Sequence, residues 1–238
     1  MIGSKIRIGL YAGEGADPES REHFAQFART VLASEPAYLM AGEFQRGPLS
    51  AYDLLVIPGG RGGQTCADLG LEGADRIREY VYAGGRMLGI CAGLYALSSG
   101  YEWSLKMIPV STLDRKHWRR GQGQVDLQLT RAGIDWMQEV PRPFSVKFSN
   151  GPIVEFVDPG EMIFPETQEG THSPDTEVLA TYLTELVHEK GIVGLMPDSP
   201  AILFQSYGKG KILALGPHLE ESPAAFEALK SAVLKLLD

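Results

Sequence analysis

The sequence predicts an α/β fold: a doubly wound, mostly parallel sheet with an antiparallel β elaboration in its second half. Three observations carry this. Short apolar runs early in the chain are separated by helical stretches of roughly ten to fifteen residues, the spacing of parallel βαβ units. From Lys106 onward the apolar segments are β-rich and partly alternating, with turn residues between them, which is the pattern of antiparallel pairing. A chain of 238 residues, 44% hydrophobic and 22% charged, buries a substantial core. It shows no internal repeat, low-complexity tract or long linker, so residues 1–238 are read as one domain.

The elements follow in order. Residues 5–11 form a first strand, 19–33 a helix, 38–41 a second strand and 53–57 a third. Residues 71–83 are helical, 86–90 form a short buried strand, and 92–98 begin another helix. The second half contributes the β-rich stretches QVDLQLT, FSVKFSN, PIVEFVD and EVLATYL. Asn150-Gly151 sits between two of these runs and predicts a hairpin turn, with Asn150 kept as a candidate substrate contact. AILFQSYGKGKILALGPHLE reads as a hairpin through residues 208–210, and an amphipathic helix over about 223–237 ends the chain.

Charge and cysteine usage limit the function classes. A net charge of −8 argues against nucleic acid or an anionic membrane as the main partner. Lys5 and Arg7 break the apolar residues of the N-terminal stretch, which therefore lacks the core of a signal peptide, and no later run is long enough to span a membrane. Two cysteines without a secretory segment predict a reducing, cytoplasmic setting and free thiols. The histidines and cysteines show no ligand spacing, so no metal site and no cofactor are expected.

The stretch GRMLGICAGLYALSSG, residues 85–100, places Cys91 where a buried strand turns directly into a helix. Such a joint crowds the backbone two residues to either side, where Gly89 and Gly93 carry no Cβ. That is the geometry of a nucleophile elbow, and the helix start directs N–H groups toward the sulfur and favours thiolate. Alone, the motif fits a packed small residue equally well. A nucleophile needs a base, and five histidines are available. His23, on an outer helix, His117, in a basic loop, His172 and His188 read as surface residues. His218 directly follows the buried strand KILALG, at the sheet edge where Cys91 lies. Glu220 shares its face in extended chain and could fix the imidazole tautomer, giving a Cys-His-Glu relay. The strand end Pro58-Gly59-Gly60 exposes unblocked N–H groups. Gly60, with the N–H of Ala92, is the candidate oxyanion hole.

Other candidates rank lower. The loop AGEGAD after the first strand places Glu14 or Asp17 where either could face the same crevice. RKHWRR, residues 115–120, reads as a solvated loop, with an anion-contacting rim as the alternative. Cys66 reads as a packed apolar residue, with a redox partner for Cys91 as the alternative.

VIPGG, GICAGLY and GPHLE together resemble the class I glutamine amidotransferase-like superfamily. DLLVIPGGRGG, IREYVYAGGRMLGICAGLYALSS, FSNGPIVEF, EVLATY and GKGKILALGPHLE, in that order, resemble more closely the N-terminal domain of eukaryotic-type biotin-protein ligases and its stand-alone bacterial relatives. The resemblance implies a flavodoxin-like sheet with Cys91, His218 and Glu220 in the triad positions and the oxyanion site near Gly60. It does not imply biotin transfer, because the glycine- and arginine-rich loop of ligase catalytic domains is absent and no residues remain for such a domain. Glutamine-using members usually read G-x-C-x-G-x-Q, whereas Tyr95 stands at the last position here. Glutaminase activity is therefore not expected, and Tyr95 becomes a candidate substrate contact. The expected function is a cysteine-dependent amidase or hydrolase acting on a small amide, ester or peptide-like substrate. One alternative follows the related intracellular proteases and gives Glu14 the contact with the thiol. Another is a non-catalytic binding or regulatory module. Expected partners are a small-molecule substrate and either a second copy or a separate chain.

Overall fold

A computed structural model describes residues 5–137, 140–165, 175–187 and 193–238. His172 and His188 lie outside the described residues. Among those described, nine strands form one sheet and two form a small second one.

Four neighbouring parallel strands hold the first half: β1 (Ile8–Tyr11), β2 (Ala37–Leu39), β3 (Leu54–Ile57) and β4 (Arg86–Ile90). Their connections are α1 (Pro18–Val31), the short α2 (Ala41–Arg46) and α3 (Gly62–Tyr82), with α4 (Ala92–Leu97) after β4. α1 starts where it does because Asp17 accepts the Ser20 N–H at 3.0 Å and Pro18 takes the first helical position. Strand alternation sorts the core: Leu54 and Val56 pack with α1 residues Phe24 and Phe27, whereas Leu55 and Ile57 pack with α3 and α4. Both faces are covered, as a parallel sheet requires. α3 begins nine residues before the helix expected over 71–83. Gly70, at φ +63°, kinks it, and this breaker hid the first half from a periodicity reading.

The second half contains β5 (Val110–Thr112), β6 (Gln122–Leu129), α5 (Arg131–Trp136), β7 (Phe144–Ser149), β8 (Val154–Phe156), β9 (Thr176–Tyr182), β10 (Pro200–Tyr207), β11 (Gly210–Leu215) and α6 (Phe226–Leu237). The order across the large sheet is β2-β1-β3-β4-β11-β10-β9-β6-β7. β11 lies parallel to β4, and every pairing beyond it is antiparallel. The β10–β11 hairpin turns through Gly208 at φ +61°, a value suited to a two-residue turn. The hairpin expected at Asn150-Gly151 does not form. β7 pairs with β6, while β8 leaves to pair with β5. Asn150 does adopt φ +51°, but its N–H donates to Gly121 O at 2.9 Å and its Oδ1 accepts the Gly121 N–H at 2.8 Å. These two bonds tie it to the chain entering β6. Among the described residues no helix is long and apolar enough to cross a membrane.

Candidate active site

The C-terminal ends of β1, β3, β4 and β11 are adjacent in the sheet, and the loops that leave them meet there. Open parallel sheets bind ligands in this crevice. Cys91 leaves β4 at φ +51°, ψ −97°, a conformation that costs a non-glycine residue energy and holds its side chain at the apex of the turn. The flanking glycines are needed sterically. A Cβ on Gly93 would lie 2.4 Å from Ile57 O, and one on Gly89 2.9 Å from the Gly93 carbonyl carbon. Cys91 is 5% exposed, and its Sγ lies 3.5 Å from Ser149 O.

His218 lines the same cleft as Cys91 and interacts electrostatically with its thiol. Its Nδ1 lies 2.7 Å from Glu220 Oε1 and 3.2 Å from Glu221 Oε1, which leaves Nε2 for the thiol. The relay is not extended backbone as expected. Residues Leu219–Glu221 form a 3-10 turn, and this tighter winding brings the carboxylate at position 221 within reach as well as that at 220. His218 is 4% and Glu220 2% exposed. Burial opposes an imidazolium here. The charges of Glu220 and Cys91, with the hydrogen bond to Glu220, outweigh it and raise the His218 pKa well above its ordinary value. Glu221 responds oppositely. Burial would raise its pKa, but its bond to Lys147 and the nearby His218 and His23 hold it below the usual carboxylate range. His23, expected on the surface, is half exposed and reaches Glu221 Oε2 at 3.3 Å. Among the described residues, His218, Glu220 and Glu221 are the cluster whose ligand atoms come close enough to suit a metal ion. Their direct imidazole–carboxylate hydrogen bonds already account for these positions.

Gly59 and Gly60 serve different ends. A Cβ on Gly59 would sit 2.8 Å from His218 Cε1, so Gly59 makes room for the imidazole, while its N–H donates to Ser20 Oγ at 2.9 Å. Gly60, at φ +144°, bridges to Ala16. The bridge is closed by the flanking bonds from Asp17 N to Gly59 O and from Arg61 N to Gly15 O. The N–H of Gly60 itself is therefore directed away from the β1–α1 loop. Ala92 contributes a first-turn helix N–H, since the intrahelical bonds to Cys91 O come from Leu94 and Tyr95.

A cleft of about 1210 Å³ opens over Cys91 and His218, with Gly60, Tyr95 and Asn150 in its walls. Tyr95 is largely buried, its hydroxyl 3.5 Å from Asn150 O, and burial raises its pKa. Glu14 is not part of the lining. It is exposed, its N–H bonds Asp68 and its carboxylate accepts from Gln64 at 3.3 Å, which turns it toward α3. Asp17 lines the cleft but caps α1. The basic loop is more than a solvated surface, because Arg115, Trp118 and Arg119 reach the cleft. His117 bonds Asp114 at 2.9 Å. Cys66 is buried in the α3 core, and desolvation pushes its thiol up to about 12. Sequence reasoning missed Tyr182, fully buried in the same core cluster as Cys91, whose hydroxyl lacks a hydrogen-bond partner among the described residues. It also missed Glu221, Lys147 and the Tyr101–Trp103 wall. Lys147 and Tyr182 lie in strands that looked like ordinary sheet, and the remainder carry no motif.

Residues 6–113 match the family described as "Biotin-protein ligase, N terminal". The pyridoxal 5′-phosphate synthase subunit PdxT of Halorubrum lacusprofundi is 27% identical over 161 residues, 65% of this chain and 76% of that protein. Among solved structures, a glutamine amidotransferase from Thermotoga maritima aligns with a TM-score of 0.59 and 15% identity, over 98% of this chain and 99% of that one. A β-galactosidase from Bacillus circulans sp. alkalophilus aligns with a TM-score of 0.55 and 12% identity, and this chain spans only 30% of its length.

Proposed function

We propose that this chain, which has the class I glutamine amidotransferase-like fold and is related to the N-terminal region of biotin-protein ligases, is a cysteine-dependent acyl-transfer hydrolase of small amides or esters. The observation that carries the reading is Cys91 at a strained strand-to-helix joint, sharing its cleft with a buried imidazole whose Nδ1 is 2.7 Å from Glu220. The Cys91 thiolate attacks the carbonyl carbon, forming a C–S bond and moving the C=O π pair onto oxygen. The N–H groups of Gly60 and Ala92 stabilise that oxyanion. When the tetrahedral intermediate collapses, the C–N or C–O bond breaks and His218 gives its proton to the leaving amine or alcohol. Water then attacks the thioester, His218 takes its proton, and the carboxylic acid leaves as thiolate is restored. Glu220 holds the imidazole orientation throughout and balances its charge.

Tyr95 fills the position where a glutamine-using enzyme usually presents a side-chain amide, so free glutamine is not the substrate this reading favours. Intact-mass measurement after exposure to a panel of activated esters and amides, glutamine included, tests the proposal. A covalent acyl adduct that maps to Cys91 and is absent in Cys91→Ser is the expected result. No adduct with any member would return the chain to a binding or regulatory module.

A further inference from the structure

We infer that the cleft takes an acyl compound ending in an anionic group, received by Arg61, Arg115 and Arg119 beside the Tyr101–Trp103 wall. The inference builds on Cys91 as the acyl acceptor and adds the class of molecule it accepts. All three arginines line the cleft that contains Cys91. Among the described residues none of them pairs with a carboxylate, in a chain with 30 acidic and 22 basic residues. Their partners are neutral instead. Arg61 reaches Gln64 Oε1 at 3.5 Å, Arg119 lies 4.9 Å over the Trp118 ring, and Arg115 donates to Ser111 Oγ at 3.0 Å.

Arg115 also caps a stack. Its guanidinium lies 4.8 Å over Tyr101, and Tyr101 stacks on Trp103 at 4.5 Å and 19°. Trp103 in turn leans on Gly63 at the start of α3, where a Cβ would meet its ring at 3.5 Å. This wall, Tyr95 and Trp118 supply aromatic surface to the cleft, and Trp103 and Trp118 are both about two-fifths exposed. Of the carboxylates in the same cleft, Asp17 caps α1 and Glu221 is tied to Lys147, leaving Glu19 on the first turn of α1. Exposed guanidinium groups on a cleft wall, with no carboxylate paired to any of them among the described residues, suit a carboxylate or phosphate, which they bind in a forked geometry. The negative charge of the whole protein acts in the opposite sense. An anion is favoured only if these local cations prevail within a screening length of roughly 10 Å.

A matched pair of alkylating probes reads that balance directly: 4-(iodoacetamido)benzoate and its uncharged 4-carboxamide. In each, the thiolate displaces iodide and a C–S bond forms. The rate ratio of the anionic to the neutral probe at Cys91, measured by peptide mapping, is compared with the same ratio for 2-mercaptoethanol. The expected ratio at Cys91 is larger by roughly tenfold at low salt and falls as salt is added. Combined Arg61→Gln, Arg115→Gln and Arg119→Gln substitution brings it down to the 2-mercaptoethanol value. The corresponding triple lysine variant retains part of the preference, which a folding defect would not reproduce. A ratio at or below that of 2-mercaptoethanol overturns the inference while leaving Cys91 as a nucleophile. Failure of both probes to modify Cys91 overturns the acyl-transfer reading, and this inference with it.

Discussion

Lys147 on β7 and His218 beyond β11 form an antiparallel bridge, although three strands separate β7 from β11 in the sheet. The His218 N–H donates to Lys147 O at 2.8 Å, and Ser222 Oγ accepts the Lys147 N–H at 3.0 Å. The antiparallel half therefore folds back over the end of the parallel half and fixes the backbone that carries the imidazole. Ser149, on the same strand, offers its carbonyl to Cys91.

Ser222 joins the two halves, since its hydroxyl also donates to His218 O at 3.0 Å. Ser222→Ala leaves the buried His218 carbonyl and the part-buried Lys147 N–H without this partner, at a cost of roughly 1–3 kcal/mol. Urea denaturation should show that loss. Alkylation of Cys91 by iodoacetamide should slow in the folded variant, because the imidazole is less firmly held. Wild-type stability and labelling would separate the bridge from the site.

The two thiols differ in surroundings rather than in exposure, at 5% for Cys91 and 7% for Cys66. Desolvation pushes Cys66 up to about 12, whereas Cys91 has His218 beside it. Iodoacetamide at neutral pH should label Cys91 and reach Cys66 only on unfolding, with His218→Asn slowing the first reaction. Peptide mapping distinguishes the sites. Equal, slow labelling of both, unmoved by His218→Asn, would mark Cys91 as a packed residue.

His218 should also leave a signature in stability. Its folded pKa is raised, so the native state holds the proton more tightly than the unfolded chain, whose imidazole titrates at about 6.5. The stabilisation is complete below that value and is lost as pH rises through the folded one. Glu221, shifted downward, stays ionised throughout and adds no slope in this window. The difference in Tm between wild type and His218→Asn should be widest near pH 6 and shrink as pH is raised. A difference that widened would mean His218 is buried as the neutral ring.

Local signals explain what was legible in the sequence. The Cys91 elbow, the Pro58-Gly59-Gly60 strand end and the position of His218 depend on strand ends followed by glycine or proline, and neighbouring parallel strands carry all three to one edge. Asn150-Gly151 misled because a positive-φ residue at a chain reversal looks the same whether or not the flanking strands pair. Its true partner, Gly121, lies 29 positions away. The long-range closures between Lys147 and His218 and between Ser149 and Cys91 depend on how far the sheet curls, which alternation alone does not encode. The arginine-bearing loop was legible as charge, with a rim contact only as the alternative, for the same reason.

Two carboxylates face the same imidazole nitrogen, and their surroundings decide which one orients it. Glu220 is the closer, at 2.7 Å, and its other oxygen has no hydrogen-bond partner among the described residues. Its charge is thus directed at His218 alone. Glu221 lies at 3.2 Å and is shared with Lys147 and with His23, so part of its field is already neutralised. Glu220→Gln keeps the side-chain shape and removes the charge, which should lower the imidazolium pKa and slow alkylation of Cys91 at neutral pH by about tenfold, the effect of one pKa unit. Glu221→Gln should change the rate by less. Rate–pH profiles of Cys91 in both variants measure this, because a charge effect displaces the profile along the pH axis whereas a packing defect lowers it throughout. A larger displacement from Glu221→Gln would reassign the orienting role to Glu221, and profiles lowered without displacement would make both carboxylates structural.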